Sequence, residues 1–71
     1  MHPSTEAILR YFDFDHLPPR LRKVSEPFGF LATKLAVTLP PIPETTVAIR
    51  KLLEAKDAAI RASLDLPDDA A

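Results

Sequence analysis

With 71 residues, no cysteine and a net charge of −1, the chain is expected to form one small domain held by burial alone, without disulfides or cysteine-bound metal. The near-neutral balance argues against DNA or RNA binding, which calls for a basic stripe, and the lack of any run of ~18 apolar residues argues against a membrane span. No charged-then-apolar leader opens the chain, so a cytoplasmic protein is expected.

Residues 3–12, PSTEAILRYF, have the marks of a short first helix, with Ser4 or Thr5 as cap and Glu6 in the first turn. A helix of this length is unstable alone. Its apolar members Ala7, Ile8, Tyr11 and Phe12 therefore need a surface to rest on, either the rest of the chain or another copy. Residues 13–19, DFDHLPP, break the periodicity and form a loop that gathers aromatic and polar side chains in one place. Asp13 and Asp15 suit Asx turns better than catalysis. His2 and His16 lack carboxylates at metal-binding spacing and are expected to be partly exposed.

Residues 20–39 put Leu21, Val24, Phe28, Leu31, Ala32, Leu35, Ala36 and Leu39 on one helical stripe that runs across Pro27. One kinked helix is expected, with a break capped by Ser25 as the alternative. Phe30 and Val37 fall off the stripe and are spare apolar surface. Residues 40–43, PPIP, end that helix and are short enough to turn the next one back antiparallel.

The last helix, predicted over 43–64, starts with Pro43 and Glu44. Ile49, Leu52, Leu53, Lys56, Ile60 and Leu64 share one flank, and Ala48, Ala55, Ala59 and Ala62 form a strip of small residues beside it. Such a helix calls for two neighbours, one of them close-packed over alanine. Its polar face offers i,i+4 pairs at Arg50–Glu54 and Asp57–Arg61. Lys56 lies within the apolar flank, either snorkelling or turned inward toward a ligand or subunit. Residues 65–71, DLPDDAA, are expected to be an acidic tail.

The fold class read from these elements is all-α: a short N-terminal helix and an antiparallel helical hairpin in one domain over 1–64, assembled into a symmetric homo-oligomer. Self-association is the natural remedy for a chain this short, whose single core rarely supplies more than ~3–5 kcal/mol. No nucleophile motif, metal cluster or glycine-rich phosphate loop is present, so neither an enzyme nor a cofactor is expected. Phe14 offers a loop aromatic for stacking on a nucleobase. Arg50 offers a cation in the second turn after Pro43, and Thr46 a hydroxyl one turn before it.

Phe12-Asp13-Phe14, Leu17-Pro18, Leu31-Ala32 ahead of Pro40-Pro41, Ala48-Ile49-Arg50, and Glu54-Ala55 with Ala58-Ala59 together resemble the helical-hairpin family of phage anti-defence sponges. The resemblance covers roughly residues 11–62. It implies a small hexameric helical protein that sequesters, without catalysis, the cyclic oligonucleotide messengers of bacterial CBASS immunity, in the host cytoplasm. Related Thoeris sponges share the hairpin and hold a cyclic ADP-ribose signal. By the same resemblance Phe14 falls where an aromatic, often tyrosine, stacks on a base, and Arg50 where a helix arginine meets phosphate. The chain departs from the pattern in having no phenolic hydroxyl at Phe14 and no lysine in the turn around Gly29. The ligand so implied is a cyclic di- or trinucleotide or a cyclic ADP-ribose relative. The competing reading is a structural or protein-interaction module without a small-molecule ligand.

Overall fold

The computed structural model describes residues 1–65. Three α-helices follow one another as α1 (Pro3–Leu9), α2 (Pro19–Thr38) and α3 (Pro43–Ser63), and a 3-10 turn over Arg10–Phe12 extends α1. No strand occurs among the described residues. Each helix opens on a proline, Pro3, Pro19 and Pro43, where the fixed φ suits the helix and the missing N–H would have had no helical partner. The expected acidic tail lies outside the described residues apart from Asp65, whose N–H bonds to the Ala62 carbonyl at 3.2 Å.

The cap of α1 is neither Ser4 nor Thr5. His2 caps it, its Nδ1 accepting from the Ser4 N–H at 3.1 Å, while the His2 carbonyl accepts from Thr5 and Glu6. Pro3 at the first position moves the start one residue ahead of the serine, and this frees both hydroxyls for other partners. The predicted helix over 3–12 tightens into 3-10 geometry at Arg10 and ends at Asp13, whose N–H bonds back to the Arg10 carbonyl at 3.3 Å.

α2 runs as one helix of 20 residues through Pro27. Proline deprives the Lys23 carbonyl of its helical donor, but Pro27 and Lys23 both face solvent, so water can reach the interrupted turn. Ser25 is fully buried inside the helix and caps nothing. The alternative of a break there is therefore removed.

α2 and α3 pack against each other, and α1 with its 3-10 turn lies across both. Ile8, Phe12, Ala32, Ala36 and Ile49 form the core, with Leu9, Phe28, Leu35, Leu52 and Leu53 packed around it. On α2 the innermost line is Ser25, Gly29, Ala32 and Ala36. This corrects the predicted stripe, since Leu31 is 45% exposed and Leu39 lies at the surface. The reason is steric: small residues at spacings of three and four let neighbouring backbone approach, and the larger side chains splay to either side. On α3 the bulky flank behaves as predicted at Ile49, Leu52 and Leu53, whereas Leu64 falls just beyond the helix and is exposed. Ala48, Ala55 and Ala62 face solvent. No helix among the described residues is long and apolar enough to cross a membrane.

Buried hydroxyls tie the elements together. Thr45 Oγ1 donates to the Pro40 carbonyl at 2.6 Å, closing the turn between α2 and α3. Thr5 Oγ1 and Thr46 Oγ1 lie 3.1 Å apart and join α1 to α3.

Candidate ligand-binding groove

The 3-10 turn delivers Phe12 into the core and swings the following residues outward over α2. The loop is closed through its backbone, with the Leu17 N–H on the Phe14 carbonyl at 3.0 Å. Among the described residues the carboxylates of Asp13 and Asp15 make no hydrogen bond, so the expected Asx turns are absent. Phe14 is half-buried, and its ring meets Phe30 edge-on, centroids 5.4 Å apart and planes at 81°. That geometry suits the ring quadrupoles.

Gly29 makes this placement possible. A Cβ at position 29 would lie 3.1 Å from the Phe12 carbonyl oxygen and 3.1 Å from two carbons of the Phe14 ring. The glycine serves here for close approach and needs no unusual backbone angle. Phe14, Gly29 and Phe30 then line an open groove of about 450 Å³, together with Leu9, Phe12, Asp13, Thr33 and Lys34. Its volume is within the ~300–1,000 Å³ usual for small-molecule sites.

The other two predicted site residues lie elsewhere on the chain. Thr46 borders a separate groove with His2, Ser4, Ile42 and Pro43, and its hydroxyl contacts both Thr5 and Ser4, the latter at 3.3 Å. Arg50 is exposed one turn further along α3. A single chain thus keeps Phe14 in one groove and Thr46 in another. The residues that adjoin Phe14 were not joined to it by sequence reasoning, although Phe30 and Lys34 share a helix face at i,i+4 spacing.

The predicted ion pairs of α3 rearrange. Asp57 pairs with its neighbour Lys56 at 2.9 Å rather than with Arg61, and Arg50 and Glu54 form no ion pair among the described residues. The Lys56 side chain is only 14% exposed against 48% for Asp57. Its side chain is largely covered and its ammonium pairs with the more exposed Asp57 carboxylate, the arrangement expected of snorkelling. Lys56 borders a third groove with Tyr11, His16 and Arg61. No group of three or more metal-ligating side chains occurs among the described residues.

Comparison with protein-family models, with curated proteins and with solved structures found no match.

Proposed function

We propose that the protein binds and sequesters a small cyclic oligonucleotide without chemically changing it, at junctions between copies of the chain. The observation that carries this reading is Phe14, an aromatic ring held in a groove of ligand size with no structural hydrogen bond to make. Base–aromatic stacking is worth ~1–3 kcal/mol per base and tolerates any base. Arg50 supplies a charged fork for phosphate from α3, and Thr46 keeps one of its three hydrogen-bonding positions for a ligand after engaging Ser4 and Thr5.

Phe14 and Arg50 act together when the loop of one chain meets α3 of another. The exposed alanines of α3 support such a junction, because that helix has found its bulky neighbour within the chain and not its close-packed one. A cyclic ligand with repeated bases and phosphates matches a symmetric assembly with few residues per chain. Phage immune evasion is the role that fits a non-catalytic binder of this kind.

Phe30 at 62% and Val37 at 70% exposure favour a second reading, a module that docks on a protein through α2. Calorimetry with cyclic di- and trinucleotides separates the two. Wild type is expected to bind at least one, and Phe14→Leu, which keeps volume but loses the π-face, to bind ~1–3 kcal/mol more weakly. Arg50→Ala is expected to lose roughly 1.5–3 kcal/mol. Binding of none of the panel by wild type would transfer the assignment to the docking module.

A further inference from the structure

Resting on the cyclic-oligonucleotide reading, we infer that the Phe14 groove is a guanine-nucleotide subsite in which Phe30 is the second aromatic wall, Lys34 the phosphate contact and Asp13 the base-reading group. The groove has two unlike sides. The loop contributes Asp13 and Phe14, while α2 contributes Phe30 and Lys34, one turn apart on the same face. Because the two rings meet at 81°, they form a corner and not a sandwich. A planar base stacked on one ring therefore turns its own edge toward the face of the other, which limits its rotation as well as its plane.

The charges at the walls set the direction of the ligand. A phosphate is repelled by the Asp13 carboxylate and drawn to the Lys34 ammonium, a compact cation on a long, adaptable stem. The base edge then faces Asp13, which as a carboxylate only accepts hydrogen bonds. Guanine presents two adjacent donors, N1–H and the N2 amino group, that match two carboxylate oxygens. Uracil presents one N–H flanked by two carbonyl oxygens, which the carboxylate repels. The groove's chemistry thus orders guanine ahead of uracil, and within one chain it adds Lys34 as the phosphate contact beside the base, leaving the ligand's other phosphate to Arg50 of a neighbouring copy.

The test is calorimetry on the full chain with cyclic di-GMP, cyclic di-UMP and cyclic tri-AMP, with circular dichroism and size-exclusion chromatography on each variant. Wild type is expected to prefer cyclic di-GMP. Lys34→Ala should weaken both cyclic dinucleotides roughly ten- to hundredfold, and Lys34→Arg should restore most of the loss. Asp13→Asn should narrow the gap between cyclic di-GMP and cyclic di-UMP, because an amide both donates and accepts. Phe30→Ala should weaken cyclic di-GMP with fold and assembly size unchanged. Retention of cyclic di-GMP affinity by Lys34→Ala and Phe30→Ala overturns the subsite and leaves the sponge reading standing. So does binding of cyclic tri-AMP alone, or a Phe30→Ala variant that changes assembly size instead of affinity. Binding of none of the three by wild type overturns the subsite and removes the sponge reading for these ligands.

Discussion

Thr46 is proposed as a ligand contact and is also a structural link. Its hydroxyl joins Thr5 and Ser4 across the α1–α3 contact, so Thr46→Val should remove a hydrogen-bonded link and lower the unfolding free energy by about 1 kcal/mol, measured by urea denaturation. An unchanged midpoint would assign that contact to packing alone. At Gly29 two effects oppose each other. Alanine in a helix interior is favoured over glycine by roughly 0.5–1 kcal/mol, yet here its methyl would press on a backbone carbonyl and on the Phe14 ring. The carbonyl belongs to the turn that carries core Phe12, so it cannot yield without disturbing the core. Gly29→Ala is therefore expected to give no gain in melting temperature and to displace Phe14 from Phe30, read as a change in ring-to-ring nuclear Overhauser contacts. A clear rise in melting temperature with those contacts intact would show that the neighbours give way freely.

Among the elements, α2 carries a built-in weakness that its surroundings do not need. Pro27 faces solvent and packs against nothing in the core, so Pro27→Ala restores a backbone hydrogen bond and relieves a clash at no cost in burial. A proline in a helix interior is ~3 kcal/mol worse than alanine, and the variant should unfold at distinctly higher urea; a lower midpoint would mean that the proline shapes a contact the chain depends on. The helices themselves were legible because their starts and periodicity are written locally, in Pro43 with Glu44 and in the apolar repeats of α2 and α3. Pro19 carried the same start signal, and reading it as a first-position proline would have moved the predicted start of α2 from 20 to 19; the start of the first helix at Pro3 was predicted, and the same reading of Pro3 would have pointed to His2 as its cap. Periodicity put Phe28, Ala32, Leu35 and Ala36 on the inward side, where they lie; what it could not reveal was that the small residues occupy the centre of that stripe, which leaves Leu31 and Leu39 at the surface. Leu31 and Ala32 are both apolar, and only the approach of the 3-10 turn over Gly29 selects the small side. The groove was half legible for the same reason: Phe14 stood out as a loop aromatic, but its partnership with Phe30 and Lys34 is tertiary.

As a whole the chain is a rod, 41 × 18 × 16 Å, and a rod of three helices covers each of them incompletely. Among the described residues only five apolar side chains are buried outright, little for a domain of this size, while α3 turns Ala48, Ala55 and Ala62 to solvent at seven-residue intervals. Seven residues are close to two helical turns, so the three methyls form a straight seam, the kind that lets a second helix approach closely. Ala55, in the middle, is the place to test it. Glutamate is a good helix former, and at an exposed position Ala55→Glu should leave the fold of one chain within about 0.5 kcal/mol of wild type. Buried in a helix-to-helix seam, the same carboxylate would lack a partner, and burying an unpaired charge costs far more than such a contact provides. Wild type is accordingly expected to scatter light as a dimer or larger at micromolar concentration, and Ala55→Glu as a smaller species with unchanged helicity. Because the proposed site draws Phe14 and Arg50 from different chains, the variant should lose ligand affinity along with size, whereas Phe14→Leu should lose affinity and keep size. A folded wild-type monomer would remove the shared site. An Ala55→Glu protein that assembles and binds as wild type does would place the subunit contact on another face, with Val37 and the exposed side of α2 the next to be substituted.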